Sequence, residues 1–185
     1  LSYKAIENIL SEGNISIVSY LNFEKLKSGK MIVTPFLYLR ARNTGKDIVD
    51  LLSIKTTCSM LTETGCTYSI NERPSGGVNL IPGPTRFDCH PKENVLDKLQ
   101  EWERFQKPLS KFIKRYCNMS VEEKLNEDIE NLFYDCLCGK LDEAAIEEQA
   151  DISSMLPTLI ETNPVEFQNA SMKYQNKKYN LKIKK

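Results

Sequence analysis

The stretch "NISIVSYLNFEKLKSGKMIVTPFLYLRAR", residues 14–42, sets the fold class. In its first ten residues Ile15, Ile17, Leu21 and Phe23 share one face under two-residue alternation. Ser16, Tyr20 and Asn22 take the other face, with Val18 as the apolar exception. Period-two alternation is the mark of a half-buried strand. "KSGK" at 27–30 supplies a turn, and "MIVTPFLYLRAR" is a second β-rich run. Pro35 has no N–H for a ladder, so that run is expected to be bulged, broken or at a sheet edge.

Working outward, "LSYKAIENILSEG" reads as a short helix. Ser2 caps it, Ile6, Ile9 and Leu10 form its apolar face, and Gly13 stands where a left-handed C-cap is wanted. "DIVDLLSIKTTC" at 47–58 is apolar enough for a third buried strand, with a helical turn as the alternative for its first half. Residues 71–91, rich in proline and glycine, read as a long loop. After Pro91 the period changes. Val95, Leu99, Trp102, Phe105, Leu109, Phe112, Ile113 and Tyr116 mark an amphipathic helix interrupted by Pro108. Ser120 and Glu123 form a capping-box pair opening a second helix with Leu125, Ile129, Leu132, Phe133 and Cys136 on its face. A weaker helix stops near Pro157, and the polar tail from Pro164 ends in a short strand at "YNLKIK".

The expected fold is α+β. An antiparallel sheet packs with a short N-terminal helix and a helical C-terminal half, and disulfides stabilise the whole. Residues 1–163 form one domain, β-rich over 1–89 and helical over 90–163, and 164–185 is a polar, lysine-rich tail.

Composition narrows the function classes. The 185 residues are 41% hydrophobic and 27% charged, as in ordinary globular proteins, with a formal net charge of zero. That balance argues against a nucleic-acid binder, but the charge is uneven. The last thirteen residues hold six lysines (Lys173, Lys177, Lys178, Lys182, Lys184 and Lys185) and no acid. The first 172 therefore have nineteen basic and twenty-five acidic residues, a formal charge of −6. The tail is a candidate site for a glycosaminoglycan or an anionic surface. No apolar run approaches the roughly 18 residues of a membrane span, so no transmembrane segment is expected.

Cysteines set the compartment. Six of them, Cys58, Cys66, Cys89, Cys117, Cys136 and Cys138, with N-x-S sequons at Asn14, Asn118 and Asn169, point to a secreted glycoprotein. The start at Leu1 fits a chain whose signal peptide has been removed. In "SIKTTCSMLTETGCTYSI", residues 53–70, "TETG" is a turn across which Cys58 and Cys66 are expected to pair. "DCHP" and "CLCG" lack the spacing of a structural zinc site, and no C-x-x-C occurs, so neither metal nor cofactor is expected. His90, the only histidine, has no nucleophile elbow to serve, and its place between Cys89 and Pro91 suggests a solvated or capping role at a helix entrance. The acidic pairs and clusters at 122–130 and 141–148 read as solvated helix faces.

"LSYKAIENIL", the alternating strand after it, and "LSIKTTC…GCTYSI" resemble the cystatin and cathelicidin-prodomain pattern over residues 1–70. The resemblance implies an N-terminal helix wrapped by an antiparallel sheet, with a strand ending in Thr-Thr-Cys bridged to the next cysteine. The Gln-x-Val-x-Gly and Pro-Trp hairpins that cystatins use as inhibitory wedges are absent, so no inhibitory residue carries over. The expected function is a non-enzymatic binding or effector module for a protein partner. The alternatives are a carrier of a small apolar ligand and a cystatin-like protease inhibitor.

Overall fold

A computed structural model describes residues 2–41, 48–52, 58–62, 65–73, 78, 80–81, 90–91, 100–140 and 146–183. It is α+β, with a β-hairpin and a helical C-terminal half. Helix α1 (Tyr3–Ser11) starts as expected, with the Ser2 hydroxyl accepting from the Ala5 N–H at 3.2 Å. It ends at Gly13, whose φ of +78° is the left-handed value a residue without Cβ takes freely.

Strands β1 (Ser16–Lys25) and β2 (Met31–Arg40) pair antiparallel over their whole length, Ser16 opposite Arg40 and Lys25 opposite Met31. A tight turn joins them. Leu26 N–H donates to the Lys30 carbonyl at 2.8 Å, Gly29 N–H donates to the Leu26 carbonyl at 2.9 Å, and Gly29 takes φ +84°. One face of the hairpin carries Ile17, Leu21 and Phe23 opposite Leu39, Pro35 and Val33 and packs on the core. The other face carries Val18, fully buried opposite Tyr38, then Tyr20 opposite Phe36 and Glu24 opposite Ile32.

Backbone parity explains Pro35. The N–H and C=O of Leu37 point away from β1 and bond the Gln106 side chain, which accepts at 2.9 Å and donates at 2.7 Å. Pro35, two residues earlier, also turns its main chain outward, so its missing N–H costs the ladder nothing. β2 is therefore an edge, as its proline requires. On the far side of β1, residues 48–52 run parallel to its first half. Ile17 N–H donates to the Ile48 carbonyl (2.8 Å), Asp50 N–H to the Ile17 carbonyl (3.0 Å), and Ser19 N–H to the Leu51 carbonyl (3.0 Å). This is the third buried strand in reduced form, with Val49 and Leu51 buried. Two short ladders complete the β structure of the described residues, β3 (Leu61–Thr62) with β4 (Gly65–Cys66) and β5 (Leu80–Ile81) with β6 (His90–Pro91). His90 thus lies in a strand, not at a helix entrance.

A 3₁₀ turn (Glu103–Phe105) leads into α2 (Gln106–Cys117). Pro108 does not interrupt this helix. It sits in the first turn, where N–H groups have no intrahelical partner to lose. Asn118, in left-handed conformation, ends α2, and α3 (Val121–Leu137) opens on the complete Ser120–Glu123 capping box. Helix α4 (Ile146–Thr162) passes through Pro157 instead of stopping there. Pro157 and Ser153, whose carbonyl loses its donor, both face solvent, while Ile152 and Leu159 stay buried on the other side.

The tail departs most from expectation. Pro164–Ile183 is one helix, α5, with no strand at its end. Asn163 is buried at the joint, its carbonyl accepting the Phe167 N–H at 3.2 Å, and Pro164 takes the first helical position, where its fixed φ suits the helix. The core joins the inner face of the hairpin to all five helices through Leu37, Leu51, Ile6, Leu10, Leu109, Phe112, Ile113, Leu125, Ile129, Phe133, Ile152, Leu159 and Ala170.

Candidate functional site

Helix α5 lies along α3, and this is the most extensive helix–helix contact of the described residues. Phe167 meets Phe133 edge to face at 5.4 Å, and Ala170 is fully buried. Glu130 accepts from Asn169 at 3.1 Å and from the Lys173 ammonium, and one turn further along both helices Lys177 lies 5.7 Å from the Tyr134 ring centre.

The lysine cluster expected at 173–185 is therefore divided. Lys173 is committed to Glu130, and the Lys173 and Asn169 bonds hold the Glu130 carboxyl below its ordinary pKa. Lys177 packs on Tyr134, whose hydroxyl raises its pKa, and Lys178 lies 5.7 Å from the ring centre of Tyr174. Lys182 is on the same helix, while Lys184 and Lys185 fall outside the described residues.

What the sequence reading missed is the opposite face of α5. Val165, Met172 and Tyr179 are 60%, 49% and 66% exposed and recur every seven residues. Seven helical residues turn the chain through almost two full turns, so the three side chains fall on one stripe. The exposed Gln168, Gln175 and Asn176 flank it, and no charged residue interrupts it between 165 and 179. From 175 to 180 every residue is exposed, with Lys177 reaching the Tyr134 ring of α3 from these turns. The signal was present in the Asn163–Pro164 helix start and in Phe167, Ala170 and Tyr174 at helical spacing. The density of polar residues hid it.

The cysteines do not form the expected bridge. Cys58, Cys66, Cys117, Cys136 and Cys138 are free thiols, and Cys89 lies outside the described residues. The β3–β4 register accounts for the Cys58–Cys66 pair. Leu61, not Cys58, stands opposite Cys66, and Cys58 lies three residues outside the ladder, ahead of a turn at residues 59–60. A disulfide needs Cα atoms within about 7 Å. Burial pushes the Cys117 and Cys136 thiols up, so both stay protonated.

The three sequons differ in setting. Asn118 is exposed in the α2–α3 turn, and Asn14 is exposed just before β1, whereas Asn169 is half-buried in α5 and bonded to Glu130. Among the described residues no group of three or more histidine, cysteine or acidic side chains could hold a metal ion. Among them, too, no helix is long and apolar enough to cross a membrane. No protein-family model, no curated protein and no solved structure matches the chain.

Proposed function

We propose that the chain is a secreted, non-enzymatic binding module whose C-terminal helix enters an apolar groove on a protein partner. The observation behind this reading is the stripe of Val165, Met172 and Tyr179, three large apolar side chains held in water on a helix already anchored by its other face. A rigid helix offering apolar residues at helical intervals is a recurrent mode of protein recognition. The lysines beside the stripe would favour a groove with an acidic rim and speed the encounter. A glycosaminoglycan or an anionic surface is the second reading. It draws on Lys177 and Lys178, which are exposed and form no ion pair among the described residues.

One experiment separates the two. Wild-type chain and a Met172→Lys/Tyr179→Lys variant are used to capture partners from extracellular fluid and are run over heparin. The changed side chains are exposed, so the melting temperature should not move. A specific protein recovered by the wild type and lost with the variant supports the groove. Equal recovery, or heparin retention abolished only by Lys177→Ala/Lys178→Ala, favours the polyanion.

The secretory assignment rests on the cysteine number and the sequons. In an oxidising compartment the thiols are expected to cross-link by pairings other than Cys58–Cys66. Non-reducing peptide mapping of the exported chain checks this, and recovery of six free thiols would contradict the compartment.

A further inference from the structure

The two outer edges of the β1–β2 hairpin are treated differently. On β2 the outward edge is interrupted in its middle: Gln106 bonds both main-chain groups of Leu37 and Pro35 has no N–H to offer, which leaves no continuous run for another strand. Just past its end Ser59 N–H donates to the Ala41 carbonyl at 2.7 Å. On β1 the residues 48–51 cover Ile17 and Ser19 only. Beyond them the outward groups of Leu21, Phe23 and Lys25 meet no described residue. Such an edge is a template for another strand.

We infer that this edge pairs with the same edge of a second copy of the chain, antiparallel and centred on Phe23, joining two hairpins into one four-stranded sheet. In this register Leu21 faces Lys25 of the other copy and Phe23 faces itself. All the outward residues left open on β1 are then paired, and each facing pair exchanges two main-chain hydrogen bonds. The arrangement is two-fold and closed, so it stops at a dimer.

The side chains select this register over its neighbours. Tyr20 and Leu26 are 40% and 41% exposed in the single chain and stand directly opposite each other across the two-fold axis. Asn22 faces Glu24. A shift toward the base of the strand would require the Ser19 main chain, which Leu51 already occupies. A shift by one step toward the tip places Glu24 against Glu24, and by two steps Lys25 against Lys25. Like charges directly opposite each other destabilise a pair of strands. Only the Phe23-centred register uses the whole open edge without opposing like charges.

The test is a charge cycle at Tyr20 and Leu26, both exposed and away from the core, read by sedimentation or light scattering. The wild type should show twice the 21.2 kDa mass of one chain. Tyr20→Lys/Leu26→Lys sets lysine against lysine at both ends of the pairing and should return the mass to that of one chain. Tyr20→Glu/Leu26→Lys sets glutamate against lysine and should restore the dimer. A wild type that stays at one-chain mass up to ~100 μM, where even a weak association would register, overturns the inference. So does a dimer indifferent to the double-lysine variant, which would place the contact elsewhere. Amides of Leu21, Phe23 and Lys25 that gain exchange protection only when a different protein is added would assign the edge to that protein instead.

Discussion

Replacing Phe112 with alanine is expected to destabilise the fold by about 3–5 kcal/mol, the cost of deleting a fully buried aromatic ring. Phe112 is 1% exposed. Its ring stacks on Tyr3 of α1 at 4.8 Å and on Tyr116 one turn along α2 at 5.5 Å. The loss therefore removes the surface on which α1 rests and weakens the seating of Ile6 and Leu10 as well as the packing of α2. Against a typical total stability of about 5–15 kcal/mol, the variant should unfold at clearly lower urea with an unchanged slope. Trp102→Ala is the control. Trp102 lies on the same sequence stripe but is only partly buried, edge-on to Phe105 at 5.5 Å. It should cost distinctly less. Equal losses at the two positions would mean that Phe112 is no more central than its periodicity alone suggests.

The contrast between these two aromatics shows what the sequence could reveal. Periodicity found Leu109, Phe112, Leu125, Ile129 and Phe133, which follow the helical repeat whatever they pack against. It also put Tyr116, 53% exposed, on the stripe, while Val95 and Leu99 lie outside the described residues. Local chemistry found the Ser2 cap, the Gly13 stop and the capping box, since each is settled within four residues. The alternation of residues 15–23 found β1, and Pro35 announced an edge. Features that depend on distant partners were not legible. Pro157 reads as a stop until one sees that it faces water while Ile152 and Leu159 face the core. The tail reads as strand and coil because its lysines and amides outweigh Phe167 and Ala170, and only the α3 surface makes those two decisive. Cys58 and Cys66 are close in sequence, but ladder register decides what faces what. Nor does any local pattern show that Gln106 would bond to a strand 69 residues away.

Asp128→Ala should cost about 2–3 kcal/mol, somewhat below the 3–5 expected for a fully enclosed ion pair, because solvent still reaches the site. The Asp128 side chain is 12% exposed and that of Lys124 15% exposed, with 2.5 Å between ammonium and carboxylate. The other carboxylate oxygen accepts the Leu51 N–H at 3.0 Å, fastening residues 48–52 to α3. Asp128→Asn keeps an acceptor for that N–H and leaves Lys124 with Glu127, 3.0 Å away, so it should cost less than alanine. Acid then distinguishes this carboxylate from its neighbour on α3. Burial holds the Asp128 carboxyl above its ordinary pKa, and its bonds to Lys124 and Leu51 offset this only in part. A raised folded-state pKa contributes stability that is complete below the unfolded value and is lost as pH rises through the folded one. The wild-type advantage over Asp128→Asn should therefore grow as pH falls through the carboxylate range. Glu130 has the opposite sign. Lys173 and Asn169 hold its pKa down, so its contribution is complete above the unfolded value and disappears as pH falls through the folded one. The advantage over Glu130→Gln should shrink in acid. Urea titrations of both variants and the wild type between neutral pH and about pH 3.5 test the pair. A slope of the same sign as that of Glu130 would show that the bonds to Lys124 and Leu51 outweigh burial at Asp128. A flat profile would show a solvated carboxylate, and the anchoring of residues 48–52 through it would then have to be abandoned.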